Sequence, residues 1–441
     1  MKIGAISLGC DKNRVDTENL LGFALRAGHE IVNDYSEADI VVVNSCSFLQ
    51  SAVKESLNAV WEAKSHSNVK YVILAGCLPM RYFEEITGED GLTEVDAVLP
   101  NTTYHRIGEV IERMQKGERV ILNGDDSMPK QSSARVVTTP YHYAYLKIAE
   151  GCDNHCTFCA IPAIRGKYRS ESVKNLIEEA SRLISEGVRE LILVAQDVTR
   201  YGTDRNGSSE LIDLLRALCA LPVERIRLLY CYPDKCSNEL IDFIDQEPKM
   251  AKYIDMPIQH ASDSVLKRMN RRDTLSSLKE RIAYIRSKKS GIVIRSTFMV
   301  GFPGETEEDF NALCRFIDDE KLDQVGFFAY SKEEGTPAAK MKGQISQKEK
   351  KRRLSIVSDI QTRIALKKSK ACIGKIVKVI YDGIDYDREL FYGHTDGTMP
   401  EGDVKVYFSS DSLVEVGETY PVIVEKVKKL DLYGKTTKED V

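Results

Sequence analysis

Glu150-Gly-Cys152-Asp-Asn-His-Cys156-Thr-Phe158-Cys159-Ala160 follows the apolar, strand-like run Tyr145-Leu-Lys-Ile-Ala149 and precedes Ile161-Pro162 and Arg165-Gly166. That order puts three cysteines on a loop at the carboxyl end of a strand. At x3 and x2 spacing they can close around one face of an iron–sulfur cube, which takes four thiolates when fully ligated. Three thiolates leave one metal position open, and an open position lets a centre bind substrate as well as hold a fold. A structural zinc site usually draws four ligands from paired C-x2-C units, and no second pair lies at that spacing.

C-x3-C-x-(aromatic)-C, with Phe158 as the aromatic, resembles the cluster motif of the radical S-adenosylmethionine enzymes. Beyond it the chain alternates. Leu191–Ala195, Arg225–Tyr230, Ala251–Ile258, Gly291–Val300 and Gln324–Tyr330 read as strands. Ser172–Glu186, Glu210–Leu221, Ser264–Asn270 and Ser276–Ser287 read as helices between them. Such alternation argues a parallel sheet with crossover helices, here a partial (βα) barrel, whose chemistry gathers at the carboxyl ends of the strands. Gln196-Asp197, Gln259-His260, Arg295-Ser296-Thr297 and Gly301-Phe-Pro-Gly304-Glu305 fall at those ends. Alone, His260 reads better as a core histidine, and the two glycines as turn residues. As a set these positions suit the walls of a site for S-adenosyl-L-methionine, with Phe158, Gln196, Arg295 and Gly301 as the candidate contacts.

Upstream, three apolar runs end alike. Ile3–Gly9 ends in Cys10, Asp39–Ser45 in Cys46, and Tyr71–Gly76 in Cys77. Each reads as a buried parallel strand, with helical stretches Val15–Ala27 and Ser51–Ala63 between them. The cysteines are 36 and 31 residues apart, about one βα unit each. In an open parallel sheet ligands sit outside the carboxyl ends of the strands, so Cys10, Cys46 and Cys77 are expected to meet at one edge. One such cysteine would be ordinary packing; three at the same structural position favour a second cluster. Cys219 and Cys314 fall in helical patterns, Cys231 and Cys236 beside a strand end, and Cys372 stands alone, so these five read as packing.

Lys340–Lys370 carries eleven Lys and Arg against Glu349 and Asp359, a net of +9. It reads as a polar helix, either solvated between two domains or a phosphate-contacting stripe. From Cys372 on, short alternating runs (Lys375–Tyr381, Leu390–His394, Asp403–Phe408, Thr419–Val427) punctuated by glycines argue a small antiparallel β-barrel. Barrels of this kind often bind RNA, but this one carries nine basic against fourteen acidic residues, a net of −5. Phosphate binding needs a basic surface, so a basic protein suits it better, with Asp382, Asp385 and Asp387 as candidate contacts.

The chain has 441 residues, which suggests about three domains. With 42% hydrophobic and 29% charged residues it has the composition of an ordinary soluble protein. No stretch approaches the ~20 apolar residues of a membrane span. The opening run turns charged at Asp11-Lys-Asn-Arg14, too soon for a signal peptide. Eleven cysteines without an export signal point to a reducing cytoplasm, where clustered cysteines serve metals or catalysis.

The order of parts resembles the radical S-adenosylmethionine methylthiotransferases over essentially the whole chain. It is most similar to the branch that methylthiolates an aspartate of protein twelve of the small ribosomal subunit. Ser7-Leu-Gly-Cys10-Asp-Lys-Asn13 with Val15-Asp-Thr-Glu18 carries the resemblance, as do Asn44-Ser-Cys46-Ser-Phe48, Cys152 to Gly166, Gly301 to Glu305, and Asp431-Leu-Tyr-Gly434. The resemblance implies an α/β chain of four parts: an N-terminal domain at 1–137, a radical-SAM partial TIM barrel at 138–340, a basic helical connector at 341–371, and a TRAM-like, OB-like barrel at 372–441. It implies two 4Fe-4S clusters, one on Cys152, Cys156 and Cys159 and an auxiliary one on Cys10, Cys46 and Cys77. A radical formed from S-adenosylmethionine would take a hydrogen from the aspartate β-carbon, a C–H too weakly acidic for a side-chain base; a cofactor must carry that step. The partners implied are a small-subunit ribosomal protein, free or in the ribosome, an electron donor and a sulfur donor, with no membrane. Two other readings stay open on the sequence: methylthiolation of a transfer-RNA adenosine, and a non-catalytic iron–sulfur or electron-transfer protein.

Overall fold

Ile40–Ser45 is buried at every position. A strand with no polar face needs cover on both sides, which a parallel sheet between two layers of helices supplies. A computed structural model, which describes residues 1–125 and 127–438, has this arrangement. Glu439 and Asp440, two of the acidic residues counted above, lie outside the described residues. Six parallel strands run in the order Glu30–Ile31, Lys2–Ser7, Ile40–Ser45, Tyr71–Gly76, Ala97–Pro100, Val120–Ile121. Alternate residues face opposite layers: Ile40 and Val42 pack with Leu20, Ala24 and Val110 of the helices Asp11–Arg26 and Ile107–Gln115. Val41 and Val43 pack with Val60 and Ala63 of Gln50–Ser65. Register pairs Ser7 with Asn44 and Ser45 with Gly76, so all three cysteine-bearing segments leave the sheet at one edge.

The middle domain has two three-stranded parallel sheets. Tyr143–Lys147, Glu190–Val194 and Arg225–Leu228 form one; Tyr253–Asp255, Val293–Val300 and Gln324–Ala329 form the other. A parallel bridge between Ile226 and Met250 joins them, and the Cys231 N–H donates to the Asp255 carbonyl at 2.8 Å. The result is an open wall of six strands, the partial barrel that the alternation suggested. Thr274 and Thr306 each open a helix through a reciprocal capping box, which satisfies backbone donors the first turn leaves free.

Gln347–Lys370 is one helix, and it packs along the middle domain instead of standing as a solvated spacer. Val357 and Ile364 sit in the middle domain's core, with Leu354 and Ile360 against it. Arg353 pairs with Glu305 at 2.7 Å, the Lys350 ammonium donates to the Tyr330 carbonyl at 2.7 Å, and Lys368 pairs with Asp323. An apolar stripe at 354, 357, 360 and 364 lies hidden among the cations, and it lays the helix along the barrel.

The last domain is a closed five-stranded barrel: Ile376–Asp385, Leu390–His394, Val406–Ser409, Asp431–Thr436, Thr419–Lys428. The strand Asp431–Thr436 was not among the runs read from the sequence. It closes the barrel by pairing in parallel with Val406–Ser409, whereas the other pairings are antiparallel. Among the described residues no helix is long and apolar enough to cross a membrane.

Candidate active site

The three N-terminal cysteines meet because side chains lock their loops together. Asn13 donates through Nδ2 to the carbonyls of Leu8 at 2.6 Å, Asn44 at 3.1 Å and Ser45 at 3.2 Å. The Ser56 hydroxyl accepts from the Cys46 N–H and donates to its carbonyl, both at 2.9 Å. The Ser47 hydroxyl donates to the Cys77 carbonyl at 2.9 Å. Gly9 has φ +93°, and a Cβ there would lie 2.9 and 3.0 Å from Cβ and Sγ of Cys46. Only glycine lets the first and second cysteine loops approach this closely. Gly76, at φ +92°, turns the chain into Cys77 where a Cβ would overlap the Ser45 carbonyl. Cys10 is exposed, Cys46 half-buried and Cys77 buried. Burial pushes the Cys77 thiol up to about 12.

The second trio sits across the domain boundary. Its loop is fixed to the middle domain: the Cys152 N–H donates to the Gly166 carbonyl at 3.1 Å and the Thr157 N–H to Met269 at 3.1 Å. Asn270 Nδ2 donates to the His155 carbonyl at 3.0 Å. Asn154 donates to Asp197 at 2.8 Å and accepts from Arg200 at 3.0 Å. The Tyr232 hydroxyl lies 3.7 Å from Cys156 Sγ, and the Arg271 guanidinium stacks 4.2 Å over the Tyr232 ring. Burial raises Cys152 to about 11 and Cys159 to about 12. A cavity of about 370 Å³ opens beside Cys156 and Cys159, walled on the far side by Arg81 and Tyr82 of the N-terminal domain. His155, Tyr230 and Gln259 have φ of 50°, 60° and 75°. Left-handed backbone in non-glycine residues at loops and strand ends is a mark of functional sites.

Between the trios lies a buried ionic quartet. Arg165 Nη1 bonds Asp16 at 2.6 Å and Glu150 at 3.1 Å. Lys147 bonds Asp16, and Glu150 at 2.9 Å. The four side chains are between 0% and 4% exposed, and two cations balance two anions. Arg165 also donates through Nε and Nη2 to Cys77 Sγ at 3.3 and 3.2 Å, and through Nη2 to Asn13 Oδ1 at 3.1 Å. Burial works to raise Glu150, but Arg165 and Lys147 outweigh it and hold the carboxyl below the usual range. Arg165 ends the short helix that follows Cys159, so one side chain ties the loop of the second trio to a cysteine of the first.

Other sequence-selected residues fall unevenly. Phe158 packs against Val265, Met269 and Tyr330. Gln196 donates to Glu150 at 3.2 Å, and its Oε1 is buried without a partner. Arg295 is held by Asp255 at 3.0 Å and by Asp403 of the last domain at 3.3 Å. At Gly301 a Cβ would overlap Lys350 Cγ, so the connector helix packs against that side of the residue. Asp382 is a correction. It is 7% exposed, bound to His142 at 2.8 Å and His394 at 2.8 Å, and it clamps the last barrel onto the middle domain instead of facing a partner. Asp385 pairs with Arg388, and Asp387 is exposed. Cys231 and Cys236 are buried in the middle core. His260 is buried, and burial pushes its ring down to about 3. The quartet escaped the sequence reading, although Lys147 and Glu150, three apart in an apolar strand, were its signal.

The donor sets fit iron–sulfur cubes better than single ions. Among the described residues, the one group that brings three candidate donors within 4.8 Å of one another is His142, Asp382 and His394. Neither cysteine trio does so. A single zinc, at Zn–S of about 2.3 Å, needs its sulfurs about 3.8 Å apart, whereas a cube spreads its thiolates over a wider face. All six cysteines are free.

Three family models match the chain: the uncharacterized protein family UPF0004 over residues 2–99, the radical SAM superfamily over 146–317, and the TRAM domain over 373–436. A ribosomal protein uS12 methylthiotransferase RimO from Lachnoclostridium phytofermentans is 45% identical over 439 residues, covering 98% of this chain and 99% of that protein. Its namesake from Trichlorobacter lovleyi is 41% identical over 445 residues, covering 99% and 98%. Among solved structures, the radical S-adenosylmethionine methyltransferase TsrM from Kitasatospora setae, bound to tryptophan and an S-adenosylmethionine analogue, superposes with a TM-score of 0.55. It is 14% identical over 74% of this chain and 72% of that one, a likeness of fold alone.

Proposed function

Because the chain belongs to the ribosomal protein uS12 methylthiotransferases, we propose that it replaces one β-carbon hydrogen of an aspartate in that ribosomal protein with a methylthio group, in the cytoplasm. The observation that carries this reading is the pair of cysteine trios on two sheets, facing one boundary and tied by Arg165. Cys152, Cys156 and Cys159 would hold one 4Fe-4S cluster and Cys10, Cys46 and Cys77 the auxiliary one; with S-adenosyl-L-methionine bound, these supply a radical for the unactivated C–H bond and the sulfur to be inserted. The chemistry requires an outside electron donor and a sulfur donor.

The chain's own residues do the positioning. Asn154, Thr157 and Asn270 fix the loop of the radical trio. Gln196, whose Oε1 is buried without a partner beside Glu150, would accept a hydrogen bond from S-adenosylmethionine. Arg81 and Tyr82 wall the far side of the cavity beside Cys156. The net negative last domain suits a basic protein substrate better than transfer RNA.

Mass spectrometry of uS12 from cells with and without this gene tests the substrate. In the reconstituted enzyme, Cys156→Ala should abolish S-adenosylmethionine cleavage. Cys46→Ala should lower iron from about eight to about four per chain and stop sulfur insertion. An unchanged iron count in Cys46→Ala would reduce the N-terminal trio to packing, and an unmodified uS12 in wild-type cells would remove the substrate assignment.

A further inference from the structure

Lys12 lies two residues past Cys10, in the first turn of the helix Asp11–Arg26. It is 7% exposed, yet among the described residues no carboxylate or carbonyl accepts a hydrogen bond from its ammonium. Its recorded contact is the Tyr230 ring, whose centroid lies 3.5 Å from Nζ. A ring face balances the charge from one side and leaves three N–H donors unused. The stem is buried along that ring while the ammonium keeps solvent access, so it can take an incoming anion.

The carboxylates that hold Tyr230 accept no hydrogen bond from Lys12. Asp11 accepts from the Tyr230 hydroxyl at 3.2 Å. Asp255 accepts from the Tyr230 N–H at 3.0 Å and from Arg295 at 3.0 Å. Tyr230 itself is held at φ 60°, just past the strand Arg225–Leu228, at the carboxyl end where barrel chemistry gathers. The ammonium therefore stands between the exposed cysteine of the auxiliary trio and the mouth of the barrel, without an ion-pair partner among the described residues.

We propose that Lys12 binds the side-chain carboxylate of the substrate aspartate and so sets its β-carbon beside Cys10. The inference rests on the function proposed above and adds the group that selects the residue. The reacting carbon is one bond from the carboxylate, so recognition must act within one bond of the reaction. Asparagine would fill the same space and leave the ammonium unpaired, and a site built around a charge rejects the neutral analogue strongly.

The test uses full-length reconstituted enzyme and two forms of uS12, one with the natural target aspartate and one with asparagine there. Affinity for each is measured for wild type, Lys12→Met and Lys12→Arg, with iron content as the control for folding. Wild type should prefer the aspartate form by at least about thirtyfold, the scale set by a desolvated charge pair. Lys12→Met should bring the two forms within about threefold of each other, and Lys12→Arg should keep most of the preference. A purely structural clasp on Tyr230 would weaken binding of both forms alike and leave their ratio unmoved. Wild-type discrimination in Lys12→Met, or none in wild type, overturns the role of Lys12. Wild-type enzyme that never modifies uS12 fails the function proposal instead.

Discussion

Replacing Arg165 with Met tests whether the ionic quartet couples the two cysteine-bearing domains. The change keeps most of the side-chain volume and deletes the charge. Asp16 and Glu150 would then share Lys147 alone, leaving one buried negative charge uncompensated at a site where the side chains are at most 4% exposed. Breaking a buried pair from one side costs about 3–5 kcal/mol. Glu150→Gln alone leaves an excess cation and should cost a similar amount. The double variant restores neutrality, with Lys147 still on Asp16, so its loss should fall short of the sum by about 2–3 kcal/mol, at the upper end of measured coupling energies. Urea unfolding of the full chain is the assay. With a slope near 3 kcal/mol/M, either single variant should lower the midpoint by about 1–1.7 M, and the double variant should fall short of the sum of the two by about 0.7–1 M. The shift should persist in high salt, since buried pairs are screened weakly. Single losses under about 1 kcal/mol, or strict additivity, would show that the quartet is not a closed buried unit.

Two further outcomes concern the last barrel. His394 bonds Asp382 at 2.8 Å and Glu190 at 3.1 Å; burial works to lower its pKa, but the two carboxylates outweigh it and raise it. Such a raised group stabilises fully below its unfolded value of about 6.5 and loses that contribution as pH climbs through the folded value. His394→Gln should therefore destabilise most near pH 6 and progressively less toward about pH 9, as read by thermal unfolding across pH; a flat difference would mean that His394 is neutral in the fold. Asp387→Lys together with Asp385→Lys should weaken uS12 binding several-fold at low salt, with the gap closing as salt rises; equal affinities at low salt would clear that hairpin of any part in binding. Deleting 372–441 is a poorer probe, because it strips Glu190 and Arg227 of their partners.

What the sequence disclosed follows what is periodic. Cys10, Cys46 and Cys77 could be placed together because each ends an apolar, β-branched run, and parallel strands leave a sheet at one edge. The strands and helices of the partial barrel were found for the same reason. Tertiary pairing, in contrast, leaves no local trace. Asp382 counted as one acid among fourteen in a domain of net −5, and nothing near it announces His142, 240 residues earlier. The connector's eleven cations masked the apolar stripe that docks it. Nothing near Gly301 announces its contact with Lys350, which lies in another segment. The strand Asp431–Thr436 follows Thr419–Lys428 through the two-residue turn Lys429-Leu430, with Lys429 at φ 54°, and that turn lacks the Asn or Gly by which a hairpin shows in sequence.

Within each domain the core is apolar, but the boundaries are stapled by buried charge. Arg135 joins Glu18 of the N-terminal domain at 2.5 Å to Glu179 of the middle one at 2.5 Å. The Asp16 quartet crosses the same boundary nearer the cysteines. His142, Asp382, His394, Glu190 and Arg227 form the third staple, between the middle domain and the last barrel. An apolar interface can slide by an ångström at little cost, whereas sliding a buried ion pair leaves a charge uncompensated at several kcal/mol. That difference matters where one substrate carbon must lie in reach of two centres held on separate sheets. Misplacement by about 1 Å is enough to cost about a hundredfold in rate, so directional ionic contacts suit this boundary better than the same area of hydrophobic packing.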